Sequence, residues 1–336
     1  MPQARRKPKA FTGRGQASRP LVFTTKWNNM VEFVDHRGKP FRRFYQLETL
    51  ASAVDKLVRD RDRLIQPAIE KVLGPGAANS LIFALTAEDE FRLIFTVKVT
   101  TAAKRKTQLS LVVAKNPEEG SRRVAQEYKH LRLLHERLKE EMTEPLRAGI
   151  LFLPDRYRRE EHHRELEAYV TALPVGYEPL GIHRNLQYTA GTTPPHTFSK
   201  KETEGLKQKM CTLALKAFNP VTRNGLDTGQ LDASTFQVNR TGKSLPKLKL
   251  FNCVHMQTRL TSTRVISFLL TDTWTCRGIE CAVAPESPSM FFEAVVNAVG
   301  PETARQWLKQ YCHQAKAGKV KGTSPDYIEA LAGLAG

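Results

Sequence analysis

A chain of 336 residues with 40% hydrophobic and 26% charged side chains can bury one large core or two modest ones, which excludes a disulfide-held miniprotein and a wholly disordered polymer. Its 52 lysines and arginines against 34 aspartates and glutamates leave a charge of +18, so nucleic acid or another acidic polymer is the default partner. Apolar runs such as Leu81 to Leu85 and Leu151 to Pro154 stop far short of the roughly 20 residues that a bilayer span needs, and no membrane partner is expected.

Residues 1–20 carry Arg5, Arg6, Lys7, Lys9, Arg14 and Arg19 with no acid and no apolar stretch of the kind a secretory signal requires. Too little there is apolar to offset the entropy of ordering, which predicts a disordered basic arm able to meet RNA or DNA. Five cysteines, an odd number scattered from Cys211 to Cys312, fit a reducing, intracellular setting, cytoplasmic or nuclear, better than a disulfide framework.

An extension over 21–76 follows. In it Leu47, Leu50, Val54, Leu57, Val58, Leu64 and Ile65 recur at helical spacing, and Gly74-Pro75-Gly76 ends the pattern. A β-rich lobe is expected over 77–175. Runs around Leu81 to Leu85, Phe91 to Val99 and Leu109 to Ala114, joined by short polar links, predict an antiparallel meander. Val124, Tyr128, Leu131, Leu134 and Leu138 then mark one face of a helix, with Ser121 placed as its cap. Glu167 to Pro174 reads as extended, and Val175 to Leu180 as a break rich in Gly and Pro.

The last segment, 176–336, is expected to be mainly helical. Its pattern gives helices over 200–218 and near 291–299, 302–311 and 327–334, and a hairpin from Phe236-Gln237-Val238 and Leu248 to Phe251. Cys253 with His255, Cys276 with Cys281, and Cys312 with His313 lack the paired two-residue gap of structural zinc sites. Lys104-Arg105-Lys106, with the arm and Lys316 to Lys321, offers cations for a phosphate backbone.

A small β lobe carrying one helix, then a helical lobe, resembles the protein-kinase-like fold, and the expected class is therefore α+β with two lobes. Leu111-Val112-Val113-Ala114-Lys115 is similar to the strand whose lysine holds the ATP phosphates, and Glu127, twelve residues on, to the helix acid that positions that lysine. The short spacing is closer to small phosphotransferases of the aminoglycoside and choline kinase kind. Tyr169 to Pro174 resembles the hinge that binds adenine, so Tyr169 and Thr171 are implied there, and Ala284-Pro285-Glu286 resembles the end of an activation segment.

The catalytic positions depart from that pattern. Asp232 or Asp227 is available as base, but aligning on Phe236-Gln237-Val238 puts Gln230 at the base and Thr235 at the magnesium asparagine, whereas counting from Asp232 puts Gln237 there. Asn252 stands where relatives carry the metal-binding aspartate, and an uncharged amide anchors a hard cation poorly. Thr86 to Glu90 supplies three carboxylates where relatives place a glycine-rich phosphate loop. The resemblance thus implies a degenerate, pseudokinase-like domain that works by binding a nucleotide or a protein partner, with ATP and Mg as cofactors and residual phosphotransfer if any. The rival reading is a basic structural protein of a nucleoprotein particle.

Overall fold

Continuous β-branched and aromatic runs need cover on both faces, and the first half of the chain supplies it with two helices. In the computed structural model the described residues are 21–24, 30–34, 64–74, 78–88, 90–101, 104, 106–154, 163–173, 176–182, 188–190, 196–227, 235–240, 246–251, 256–276 and 279–336. The basic arm and most of the helix expected before Leu64 lie outside them. The elements of this half are β1 (Leu21–Thr24), β2 (Met30–Val34), α1 (Ile65–Leu73), β3 (Ala78–Glu88), β4 (Arg92–Thr101), β5 (Lys106–Ala114), α2 (Glu119–Leu138), β6 (Pro145–Pro154) and β7 (His163–Leu173).

The strands form one sheet in the order β1-β2-β3-β4-β5-β7-β6, with β2 and β3 parallel and the other neighbours antiparallel. The meander therefore stands as expected, but its first turn is tighter: β3 runs through Glu88, which pairs with Leu93. Strand β6 has no counterpart in the pattern read from the sequence. Tyr169 of β7 stacks at 5.7 Å on Tyr128 of α2, so α2 covers the sheet face that Tyr169 occupies. Gly149 lies opposite Ala168, on the other face, and there meets Leu64 just ahead of α1. The two helices thus cover opposite faces. Phe83, Phe95, Leu109 and Leu111 are fully buried, each side chain contributing on the order of 1.5–3 kcal/mol.

Helix α2 begins differently from the expectation. Its N-cap position is Glu118, not Ser121, and makes no side-chain cap; the Asn116 Oδ1, two residues earlier, accepts the Gly120 N–H at 2.8 Å instead. Ser121 lies inside the first turn, where its Oγ donates to the Asn116 carbonyl and accepts the Glu167 N–H from β7. At the far end Arg137 donates to the Ala217 and Phe218 carbonyls, which ties the helix to the second half.

That half contains β8 (Tyr177–Ile182), β9 (Tyr188–Ala190), β10 (His196–Thr197), α3 (Lys200–Ala217), β11 (Gly225–Leu226), β12 (Phe236–Asn239), β13 (Lys247–Leu250) and β14 (Met256–Gln257). It continues with α4 (Ser262–Thr271), β15 (Thr273–Cys276), β16 (Ile279–Ala282), α5 (Pro288–Val299), α6 (Pro301–Lys316) and α7 (Pro325–Ala335). The protein is thus α+β, and its second half is less purely helical than expected. A five-stranded sheet, β10-β9-β8-β12-β13, occupies it.

Strand β8 falls where Gly and Pro predicted a break. Tyr177 to Pro179 pair with β12, while Leu180 to Ile182 pair with β9, so Pro179 meets a neighbour on one side only. A proline is tolerated at such an edge position. Ser199 and Glu202 form a reciprocal capping box at the start of α3, in agreement with the helix read from the sequence.

Tyr327 of α7 donates its hydroxyl to the carbonyls of Pro285, at 3.0 Å, and Ser287, at 3.3 Å, clamping the turn ahead of α5. Burial pushes this phenol well up, so it remains a donor throughout the neutral range. Tyr327→Phe is expected to cost about 1 kcal/mol in thermal or urea unfolding, and an unchanged midpoint would show that the clamp contributes nothing.

Candidate functional site

The chemistry-bearing residues of the first half gather where β4 starts, β5 ends and α2 begins. The Lys115 N–H donates to the Phe91 carbonyl at 2.8 Å, extending the β4–β5 ladder one residue beyond Ala114. Gly120 sits over this crossing, because a Cβ there would lie 2.8 Å from the Phe91 carbonyl oxygen. Only glycine allows α2 to dock so closely. The guanidinium of Arg123 lies over the Phe91 ring, 3.6 Å from its centroid, and closes the outer side.

Glu127, 1% exposed, projects from α2 toward the sheet, but its partner is not Lys115. Arg92 of β4 takes it, with Nη1 at 2.5 Å from Oε1 and 2.6 Å from Oε2. The expected Lys115–Glu127 ion pair is thereby corrected, and strand parity gives the reason. Arg92 lies directly opposite Ala114, and directly opposed residues share a face. Ile94 lies opposite Val112, and Val112 opposite Tyr169, so this is the face that α2 covers. Lys115, one residue past Ala114, belongs to the other face and is exposed. The cation that answers Glu127 comes from β4, the strand beside the one that Lys115 follows.

Tyr169 and Thr171 are also placed otherwise than a hinge would need. Both are buried in mid-β7, facing Val112 and Ser110 of β5, with β6 on the other side. Both residues therefore lie inside the sheet, with strand neighbours on each side, instead of at a chain exit where a hinge would present its backbone. The chain leaves this sheet only after Leu173.

In the second half, Asp227 directly follows β11, and its Oδ1 accepts a hydrogen bond from the Gln257 amide of β14 at 3.1 Å. The end of β13 is pinned: the Phe251 N–H donates to Thr235, and the Phe251 carbonyl accepts from the Thr143 hydroxyl at 3.0 Å. Gln237, opposite Pro179 and Lys249, is 4% exposed, and its Oε1 accepts nothing among the described residues. Burial lowers Lys249 from the ordinary lysine range; its ammonium lies 5.6 Å from the centre of the Tyr177 ring.

Asp232, Gln230 and Asn252 lie outside the described residues, as do Arg5, Arg6, Lys7, Lys9, Arg14 and Arg105. Lys104 and Lys106 are exposed beside the β4–β5 turn. Among the described residues no three His, Cys, Asp or Glu side chains group as metal ligands, and no helix is long and apolar enough to cross a membrane. No protein-family model matches the chain, and no curated protein matches it in sequence.

Proposed function

We propose that the chain is a degenerate, kinase-like two-lobed domain that holds a nucleotide between its halves and transfers phosphate slowly or not at all. The observation that carries this reading is the buried Arg92–Glu127 pair, set where a helix follows the third strand of a meander. In kinases a carboxylate on that helix positions the cation that meets the phosphates. Here the cation comes from β4 and is a guanidinium, with five donors in a rigid fork suited to phosphate oxygens. The hairpin β12–β13 and the pinned Phe251 ahead of Asn252 support the same reading.

Asn252 offers no charge to magnesium, so metal is expected to add little to nucleotide affinity. Thermal melting with ATP, with and without Mg, tests this. At a hundredfold excess over Kd, ATP should stabilise the wild type by about 2.7 kcal/mol, and Mg should change little. Asn252→Asp should make the shift depend on Mg. No ATP response in either protein would overturn the nucleotide reading, and Mg-dependent turnover by the wild type would overturn the degenerate one.

A further inference from the structure

Among the described residues, the other ends of the two larger sheets are short: β1 and β13 have four residues each and β10 has two. A short edge gives a foreign strand little to pair with. Strand β6 closes the seven-stranded sheet with ten residues, unbroken in its register with β7 from Arg147 to Pro154 and without an internal lysine or proline. Its neighbour shows which of its groups face out. The Ala172 N–H of β7 donates to the Glu144 carbonyl, on the β6 side, whereas the Glu167 N–H donates to the Ser121 Oγ. Along a strand these groups point alternately to one side and the other, so the even-numbered residues of β7 bond to β6 and the odd-numbered ones do not. Ala148, Ile150 and Phe152 lie opposite Tyr169, Glu167 and Glu165, and therefore turn their N–H and C=O groups outward. No described backbone group meets them there. On the same face of the sheet, the one α2 covers, Ile150 is 40% exposed. Behind it Glu165 and Glu167 have no ion-pair partner among the described residues, and burial together with Glu165 pushes the Glu167 carboxyl up.

We infer that the outer edge of β6 takes the basic arm of a neighbouring copy of this chain as an added antiparallel strand, with Arg5, Lys7 and Lys9 beside Phe152, Ile150 and Ala148. The arm has the chemistry this edge lacks. Its cations at 5, 7 and 9 alternate with the period of a strand, so all three share the face of Ile150, Glu167 and Glu165. The stem of Lys7 crosses Ile150 and its ammonium reaches toward Glu167, while Arg5 stands in the row of Glu165. In this register the three cationic residues bond to the outward groups of β6, and Arg6 and Pro8 turn their backbone to solvent. That is the placement in which Pro8 forfeits no ladder hydrogen bond. A second copy of β6 fits less well, because Ala148, Ile150 and Phe152 bring no cation to the two acids. Reach separates a neighbour's arm from the chain's own. Twelve residues lie between Lys9 and Leu21 and span at most about 43 Å. Strands β1 and β6 are six spacings apart, about 29 Å. Climbing over α1 or α2 and down again adds about 20 Å, which exceeds that reach.

The test mixes nuclease-treated, full-length protein prepared with ordinary and with heavy nitrogen, and couples lysines to neighbouring carboxylates with a carbodiimide at about 50 mM salt. Digestion and mass spectrometry should find Lys7 or Lys9 joined to Glu167 or Glu165, with heavy and ordinary members in the same joined pair. Ile150→Pro spares the β6–β7 ladder, since residue 150 turns its N–H outward, and it should abolish these pairs and reduce the sedimenting mass to that of one chain. Glu165→Gln combined with Glu167→Gln should weaken association by about tenfold. If Ile150→Pro melts early, replacing Arg5, Lys7 and Lys9 by Gln leaves β6 untouched and should lower the sedimenting mass in the same way. Three results would overturn the proposal. The arm is joined to neither Glu165 nor Glu167; it is joined to them only within one isotope, as an arm folded onto its own chain requires; or association survives loss of the three arm cations and disappears in Ile150→Pro, as pairing of β6 with a second β6 requires.

Discussion

Replacing Arg92 by Met should cost about 3–5 kcal/mol of unfolding free energy, because it leaves the Glu127 carboxylate inside the sheet–helix interface without its cation. Among the described residues Glu127 makes no other ion pair, and at 1% exposure water cannot solvate it in place of the guanidinium. A loss of that size consumes a large part of the margin by which a domain is stable. The pair as a whole contributes much less. Desolvating two charges offsets most of their attraction, so Arg92→Met combined with Glu127→Leu should recover most of the loss. Urea unfolding of the four proteins gives the coupling directly as a double-mutant cycle. If the single variant proves as stable as the double one, the pair does not hold α2 onto the sheet. Lys115→Met, on the opposite face and exposed, should stay within about 0.5 kcal/mol of wild type.

The contrast between Arg92 and Lys115 also marks where the sequence stops being readable. The meander, α2, α3 with its Ser199–Glu202 cap and the β12–β13 hairpin follow from periodicity and turn chemistry. What covers each face of β4 does not. Phe91, Leu93, Phe95, Val97 and Val99 alternate with Arg92, Ile94, Thr96 and Lys98, so the pattern sets Arg92 on the more polar face but carries no sign that α2 packs over that face at Ile94. The partner of Arg92 on that face follows from the register with Ala114 and from where α2 docks.

Strand β8 is illegible in the sequence for a different reason. Pro179 breaks a strand that has neighbours on both sides, but β8 changes partner at that residue, and sheet topology cannot be seen in local composition. The caps show the same limit on a smaller scale. Ser121 and Asn116 are both capping residue types, and composition alone does not tell that the Asn116 Oδ1 takes the Gly120 N–H while the Ser121 Oγ turns to β7.

A second buried ion pair, invisible to periodicity, should carry an effect as large as the first. Glu204 and Lys207 lie one turn apart on α3, with side chains 12% and 7% exposed, and the Lys207 Nζ is 2.9 Å from the Glu204 Oε1. The other carboxylate oxygen of Glu204 accepts the Glu286 N–H at 2.6 Å, so this one group holds both a buried ammonium and the turn ahead of α5. Glu204→Ala removes both functions at once and should cost about 3–5 kcal/mol. Lys207→Met in the same chain should restore part of that loss, since no uncompensated charge then remains, while the Glu286 N–H still lacks its acceptor.

Cys211, on the same helix and fully buried, reports the outcome. Burial pushes its thiol far up from the ordinary range, so Cys211 should not react with a thiol reagent at pH 8 in native protein, and labelling read on the peptide that carries Cys211 measures opening of the core. A destabilisation of 3–5 kcal/mol corresponds to labelling faster by roughly 150- to 5,000-fold when opening is global. Unchanged labelling of Cys211 in Glu204→Ala, with an unchanged melting midpoint, would show that the pair does not hold α3 and the Pro285 turn together.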